Sequence, residues 1–518
     1  MSTVNKKGSI QGSQIADAEI ELSIYRDGQQ VKIGGAWNFK DFLSGYSITE
    51  SITNSAIQAR FVMLDNKGFS AFLTGSEQWK FTIRTVTLDR TYFFRTFSIT
   101  DRSRTNQLSD IFIIHATSDE FLKNESVNIF GHSEVIFGKR KNVTKKTSYK
   151  QTESGTKAEP IIKKLLSSKD YIGSPKKVFT DDNESINNHQ FVSTNWRPFD
   201  LIYWIGQRTI RKSKKGGTLQ NGYAFFENAM GYHFKSIDGM IDQVNDQSGK
   251  NLTSFSTGKP KLYHYRWTPK SAGEPERDPN RINAIVFPNE RSYLMGLRHG
   301  AYAGYSIGFD PTTLGNSKIG TDVSKDISND TYRYSNQELW SKMSHLGKAN
   351  DQNPIKLMDS GVRALLDYPK RVRYAALPNQ VFDRKWWNYI PGFGKNPQKN
   401  YEALVELQAY QYLRMESLKS VRLQVSIPGN LDLYAGAGVH IEMPSGEKQG
   451  DEIVTDKKYS GRYLIVGVEH EQTKETFATK LMLCKDTLYG KPSATFKSSD
   501  DKSNADIVLQ DDYLKYIK

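Results

Sequence analysis

A chain of 518 residues is longer than one hydrophobic core usually serves, so several domains are expected. With 37% hydrophobic residues, 12% aromatics and 39 glycines it suits many short strands joined by turns, and no stretch reaches the roughly 20 apolar residues of a membrane-spanning helix, which excludes that class. The formal charge of +14 points to acidic neighbours or nucleic acid, no nucleic-acid motif accompanies it, and a single cysteine, Cys484, excludes an intrachain disulfide.

Residues 1–122 read as β. Ala56–Leu64 is a strand closed by the turn Asp65-Asn66-Lys67-Gly68. Trp79, Phe81 and Ile83 alternate with Lys80, Thr82 and Arg84, the pattern of a strand with one buried and one hydrated face. Thr91–Thr100 and Asp110–Ala116 complete the set for a small barrel or sandwich. Met1–Gly12 is polar and carries no export pattern, so assembly in the cytoplasm is expected.

Residues 123–258 are mixed. Lys139–Ser154 is a basic, hydroxyl-rich loop. Pro160 opens a helix with Ile161, Ile162, Leu165 and Leu166 on one face, and a second starts at Pro198 with Asn195 as cap, burying Phe199, Ile202, Tyr203 and Gly206. Tyr223–Phe226 and Gly231–Phe234 form a hairpin. The basic runs Lys139–Lys146 and Arg208–Lys215 read as solvated loops, or as surfaces facing other proteins, rather than as readers of DNA bases.

Residues 259–420 are an irregular α/β region. Ile282–Phe287 and Tyr302–Phe309 are strands, and the capping box Ser335-Asn336-Gln337-Glu338 starts a helix carrying Leu339, Trp340, Met343 and Leu346. Pro378–Lys399 breaks regular structure and holds the adjacent Trp386 and Trp387, which are candidates either for partner contact or for anchoring their loop inward. A long helix follows, with Leu404, Leu407, Met415 and Leu418 as its core contacts. Residues 421–490 return to alternation: Val421, Leu423, Val425 and Ile427 against Arg422, Gln424 and Ser426, then Val439, Ile441 and Met443, then a hairpin of Tyr463–His470 and Phe477–Leu483. The Ser-, Lys- and Asp-rich residues 491–518 are expected to be a flexible tail.

The two β regions share an order of features. Phe72-Leu73-Thr74-Gly75 precedes the strand of Trp79, and Leu433-Tyr434-Ala435-Gly436 precedes that of Val439. Phe97–Asp101 corresponds to Val466–His470, and Ile111–Ala116 to Phe477–Leu483. A diverged repeat and a chance likeness of two small β domains both fit this pattern.

Four segments together resemble the baseplate hub proteins of contractile-tailed phages, related to the late-control tail proteins. They are Phe61–Leu64 with Trp79–Ile83 and Phe97–Asp101; Asn195–Gly206 with Gly222–Glu227 and Gly231–Ser236; Gly300–Tyr302 through Gly308–Asp310; and Ser426–Gly438 with Gly461–His470 and Thr479–Leu483. The resemblance implies a mixed α+β, mainly β fold, with two similar tail-tube-like β-barrels and α/β domains between them. It implies a homotrimer forming a pseudo-sixfold ring that joins a hexameric tail tube to a trimeric central spike. Baseplate wedge proteins would be further partners. Phage DNA would pass through the channel without sequence readout, and the place of the protein would be the virion tail, with no membrane insertion.

No catalytic, cofactor or metal residue is assigned. His470-Glu471 lacks a second histidine at metalloprotease spacing, the nine histidines form no zinc pattern with Cys484, and Gly392–Lys395 lacks the ending of a phosphate loop. Cys484 lies in a strand rather than at a helix start, where its thiolate would be favoured. The alternatives are a tail-associated, lysozyme-like hydrolase and a polysaccharide-binding β protein.

Overall fold

Period-two alternation becomes strands at both ends of the chain, in a computed structural model that describes residues 3–6, 18–32, 37–85, 88–106, 109–131, 156–181, 185–189, 191, 193–213, 218–246, 262–267, 280–288, 292–309, 331–347, 353–376, 397–449, 452–473 and 476–488. The fold is mixed α+β and mainly β. Trp386, Trp387, the loop Lys139–Lys146 and the tail 491–518 lie outside the described residues.

The N-terminal unit consists of β1 (Glu19–Arg26), β2 (Leu43–Ser51), β3 (Gln58–Asp65), β4 (Gln78–Arg84), β5 (Leu88–Asn106) and β6 (Ser109–Thr117). Its core gathers Trp79, Phe81 and Ile83 with Phe61, Phe94, Phe112 and Ile114. The Trp79 indole N–H donates to Thr96 Oγ1 at 2.7 Å, which satisfies the one polar atom of the largest core side chain. Thr82 departs from the hydrated face expected for it: it is buried, its hydroxyl 3.0 Å from that of Thr91 on the neighbouring strand.

The chain then leaves the sheet. Helices α1 (Asp119–Ser126), α2 (Ala158–Ser167) and α3 (Pro198–Gly206) surround a small sheet of β7 (Val178–Thr180), β9 (Gly231–Ser236) and β8 (Tyr223–Asn228), in that order, and α4 (Ile237–Asp246) follows. Ile161, Ile162, Leu165 and Leu166 of α2 meet Phe199, Ile202 and Ile205 of α3 and Phe234 of β9 in one core. Pro198 does open α3, but its cap residue is Arg197; Asn195 sits in a left-handed conformation at a bulge in the preceding strand. Tyr203 lies at the edge of the buried face and is half exposed. Within Arg208–Lys215, Arg211 is not a solvated loop residue. It is buried, donates to the half-buried Asp242 at 2.7 Å and lies 3.7 Å from Asp181, a buried carboxylate that requires a cation.

Next come β10 (Tyr263–Arg266) and β11 (Ala284–Val286), which rejoin the large sheet, and a three-stranded sheet ordered β13 (Thr331–Ser335), β12 (Ala303–Phe309), β14 (Arg371–Ala376). Ser335 caps the short helix Asn336–Trp340 by accepting from the Glu338 N–H. Helix α5 (Pro397–Ser417) packs on this sheet through Ala409, Tyr410 and Leu413. Its buried face runs Val405, Ala409, Leu413 at four-residue spacing, and Met415, expected in the core, points outward from that phase.

The C-terminal unit consists of β15 (Val421–Pro428), β16 (Gly438–Glu442), the hairpin β17 (Pro444–Gln449) and β18 (Glu452–Thr455), then β19 (Gly461–Thr473) and β20 (Thr476–Lys485). Arg414 of α5 fastens it to the rest. Fully buried, it donates to Asp486 at 2.8 Å just after β20, and lies 3.6 Å from Asp238 of α4.

One fourteen-stranded sheet runs through both units in the order β11, β15, β20, β19, β2, β3, β6, β5, β4, β1, with Gln29–Gln30 at the far end; Thr3–Lys6 pairs with β5, and β10 and β16 extend beside β19. Within it the two units repeat. The N-terminal unit orders its strands β3, β6, β5, β4, and the C-terminal unit β15, β20, β19, β16, which is first, fourth, third, second in chain order in each case.

Candidate assembly interface

The register makes the repeat specific to single residues. Ala59, Ala116 and Thr96 align across β3, β6 and β5 as Leu423, Leu483 and Ile465 do across β15, β20 and β19. In each unit the next residue, Phe97 or Val466, is the extra residue of a bulge, and Trp79 pairs with Phe94 as Val439 pairs with Tyr463. Gly75 and Gly436, which precede the equivalent strands β4 and β16, have φ of 84° and 85°. A left-handed turn at the same place is a backbone requirement that explains why both units keep glycine there.

The units meet edge to edge. After its bulge, β19 leaves β16 and pairs antiparallel with β2: Val468 opposite Glu50, His470 opposite Ile48, Glu471 opposite Ser47 and Gln472 opposite Tyr46. The inward side of this seam holds buried charge. The Glu50 carboxylate accepts the Ala229 N–H at 3.0 Å from the inserted α/β region and the Ala435 N–H at 3.3 Å from the Gly436 turn, and stands 3.7 Å from the Arg90 guanidinium. Burial outweighs Arg90 and both amides, and pushes the Glu50 carboxyl up to about 7. Arg90 also donates to the Tyr92 hydroxyl at 2.9 Å and lies 3.4 Å from His470 Nε2, while His470 Nδ1 is 3.0 Å from Thr479 Oγ1. Burial and the nearby Arg90 hold His470 neutral, well below the usual histidine range.

A second buried cluster ties the inserted region to the N-terminal unit. Lys176 Nζ bridges Glu120 at 2.7 Å and Glu227 at 2.5 Å, and Glu227 accepts from Ser118 Oγ and the Ile57 N–H. The cluster borders a cavity of about 430 Å³ lined also by Tyr92, Phe93 and Phe94. Its acceptors and donors are matched internally, so it serves as a fastening.

The outward side of the seam is polar and continuous. One row runs Ser426, Lys480, Glu469, Thr49, Gln58 across five strands of both units, and the next carries Glu471, Ser47, Arg60 and His115. Lys480 and Glu471 pair across it at 2.6 Å.

The seam has counterparts at the end strand β11 and at the half of β5 beyond its pairing with β4. By register, β11 stands beside β15 as β2 stands beside β3: Ile285 opposite Val425 matches Tyr46 opposite Phe61. Beyond Phe97, β5 matches the part of β19 that meets β2. Among the described residues no strand covers the outer edge of β11, or the edge of β5 beyond its pairing with β4. The side chains there are open: Val286 is 55% exposed and Phe287 51%, and Ile99 is 36% exposed where its counterpart Val468 is 1%. The sequence marks Ile282–Phe287, Phe97–Asp101 and Val466–His470 as strand or repeat features, and does not mark them as edges or as a joint. Cys484 is buried and its thiol is pushed up to about 12 by burial, which disfavours a nucleophilic thiolate. Among the described residues no three His, Cys, Asp or Glu side chains are placed to hold a metal, and no helix is long and apolar enough to cross a membrane.

No family model matches the chain, and no curated protein matches its sequence. Among solved structures it is similar to a tail protein from Neisseria meningitidis MC58, at 9% identity and a TM-score of 0.46, over 90% of this chain and 97% of that one. It is similar to the 43 kDa tail protein of prophage MuSo2 from Shewanella oneidensis, at 9% identity and a TM-score of 0.45, over 90% and 99%. It is also similar to the E. coli c3393 protein, a component of the type VI secretion system with structural similarity to the bacteriophage T4 tail proteins gp27 and gp5, at 7% identity and a TM-score of 0.35, over 92% and 77%.

Proposed function

We propose that the chain is a structural subunit of a phage tail baseplate hub, in which three copies close a ring carrying six similar β units about the tail axis. The observation that supports this most is the seam between β2 and β19, a joint between two units of the same strand order whose counterpart edges, β11 and β5 beyond Phe97, are covered by no strand among the described residues. A joint that repeats in a closed ring gives point-group symmetry without leaving an edge. Six units match a sixfold tail tube on one face, while three chains match a threefold spike on the other.

In this reading residues 1–122 and 421–490 are the two tube-like barrels, and residues 123–258 and 259–420 lie outside or beneath the ring, where wedge proteins meet them. The polar face shared by both units lines the channel. Its charges are mixed, with Lys480, Arg60 and Arg422 against Glu469 and Glu471, so DNA passes with no strong hold and no readout of bases. Chemistry is no part of this role. Trp386 and Trp387, in the stretch before α5, are proposed as a contact for a baseplate partner.

Labelling the chain in isolated tails tests the reading. A tag at its C terminus should mark the baseplate on the tail axis. A label along the tail shaft, at the fibres or absent from tails contradicts it, as does cell-wall hydrolysis by the purified chain.

A further inference from the structure

The ring reading leaves open which surfaces of neighbouring copies touch. We propose, resting on that reading, that the outer edge of β11 in one copy pairs antiparallel with the edge of β5 beyond Phe97 in the next copy, so that one sheet runs unbroken from chain to chain. The occupant of each edge is therefore a second copy of this chain, and the template is the joint inside each copy.

The two edges occupy positions equivalent to the two sides of the internal joint. Phe97 and Val466 are the bulge residues of the two units, so Ser98–Thr100 correspond to Gly467–Glu469, and past a second bulge in β5 Ser103 and Arg104 correspond to Glu471 and Gln472, in the stretch that pairs with β2. Gly45–Ser47 of β2 correspond to Ala284–Val286 of β11, since both triplets run antiparallel to the equivalent strands β3 and β15. Carrying the internal joint across places Val286 opposite Ser103 and Ile285 opposite Arg104, as Ser47 lies opposite Glu471 and Tyr46 opposite Gln472. The second bulge lies between Thr100 and Ser103, with Asp101 at φ 52°.

Three features fit a surface meant for this partner. Ile99 lies on the inward side of its sheet, paired with Ile114, and is still 36% exposed; its counterpart Val468 is covered by β2. Ile48 of β2 is fully buried within the seam, while its counterpart Phe287 is 51% exposed. Each edge also carries what keeps a lone strand from pairing at random: Pro288 ends β11, and Arg102 and Arg104 line β5. A short, interrupted edge favours the one partner that supplies matching neighbours around it.

Paired cysteines decide the matter. In a Cys484→Ala background, Val286→Cys is combined in turn with Arg102→Cys, Ser103→Cys and Arg104→Cys, and the proteins are oxidised at rising concentration. At least one pair is expected to give disulfide-linked dimers and trimers on a non-reducing gel. The single variants, and Val286→Cys with Asp27→Cys in the turn after β1, are expected to give none. Trimers seen by native mass spectrometry without cross-linking in any of the three pairs would overturn this seam and leave the ring standing. Neither trimers nor cross-links at any concentration would count against both. A second variant, Ile99→Lys, is expected to abolish the trimer while the chain keeps its circular dichroism and melting temperature; a fully assembled Ile99→Lys trimer also overturns the seam.

Discussion

Ile99 and Val468 hold the same place in two units of the same strand order: Val468 lies opposite Glu50 of β2 and is 1% exposed, while among the described residues no strand pairs with Ile99 on that edge and it is 36% exposed. The difference predicts opposite consequences for one substitution. Val468→Lys puts an unpaired ammonium into a closed joint and should destabilise the chain by about 3 kcal/mol or more. Ile99→Lys should stay within about 0.5 kcal/mol of the parent, as substitutions at open surfaces do. Urea unfolding of the two variants as isolated chains checks this.

The two left-handed glycines make a matched pair. An added Cβ at Gly75 meets nothing within 4 Å, so Gly75→Ala should cost only the backbone strain of about 1–2 kcal/mol. At Gly436 the same Cβ would stand 2.8 Å from Phe226 Cζ, so Gly436→Ala should cost that strain plus about 1–3 kcal/mol of overpacking. Equal losses in a denaturation series would mean that the Gly436 turn is not wedged against β8.

Arg414 compensates Asp486 and faces Asp238, all fully buried. Its guanidinium leads the effects that hold Asp486 well below the usual carboxylate range against the cost of burial. Arg414→Ala leaves buried carboxylates without their cation and should destabilise by about 3–5 kcal/mol. Adding Asp486→Asn should recover part of that loss, and a double-mutant cycle in denaturant measures it.

Stability should depend on pH through groups of opposite sign. Burial keeps His189 neutral in the folded chain, pulled down to about 3, and holds His233 and His470 well below the usual value. The unfolded chain binds protons on these histidines from about pH 6.5 downward, so each removes stability as pH falls from 6.5 toward its folded value. Glu50, raised to about 7, works the other way: the folded chain holds its proton between about 4.5 and 7, and stability falls as pH rises through that window. Glu50→Gln should therefore gain on the parent between pH 4.5 and 7, by on the order of 3 kcal/mol. A constant difference between the two proteins across that range would rule this out.

Much of the sheet is legible in the sequence because its inward residues are apolar at every second position, as with Trp79, Phe81 and Ile83 or Val421 to Ile427. The equivalence of Gly75 with Gly436 and of Phe97 with Val466 is legible too, since turns and bulges leave traces that core substitutions do not erase. Strand β2 escaped because its inward series Tyr46, Ile48, Glu50 ends on a carboxylate, and a charge reads as solvent-facing until its amide partners are seen. Arg211 was misjudged for the same reason. The candidate interface itself has no local signature: the openness of Ile99 is a property of strand order, and only the fold reveals which edge is left without a neighbour.

The central claim is a ring of three chains and six units, and averaged electron-microscopy images of the purified assembly viewed down its axis, with its mass measured in parallel, test it most directly. The account predicts the mass of three chains and six lobes of similar size, alternating in their outer decoration, around an open centre. Six chains in the ring, or a three-chain particle showing three lobes and no channel, would contradict it.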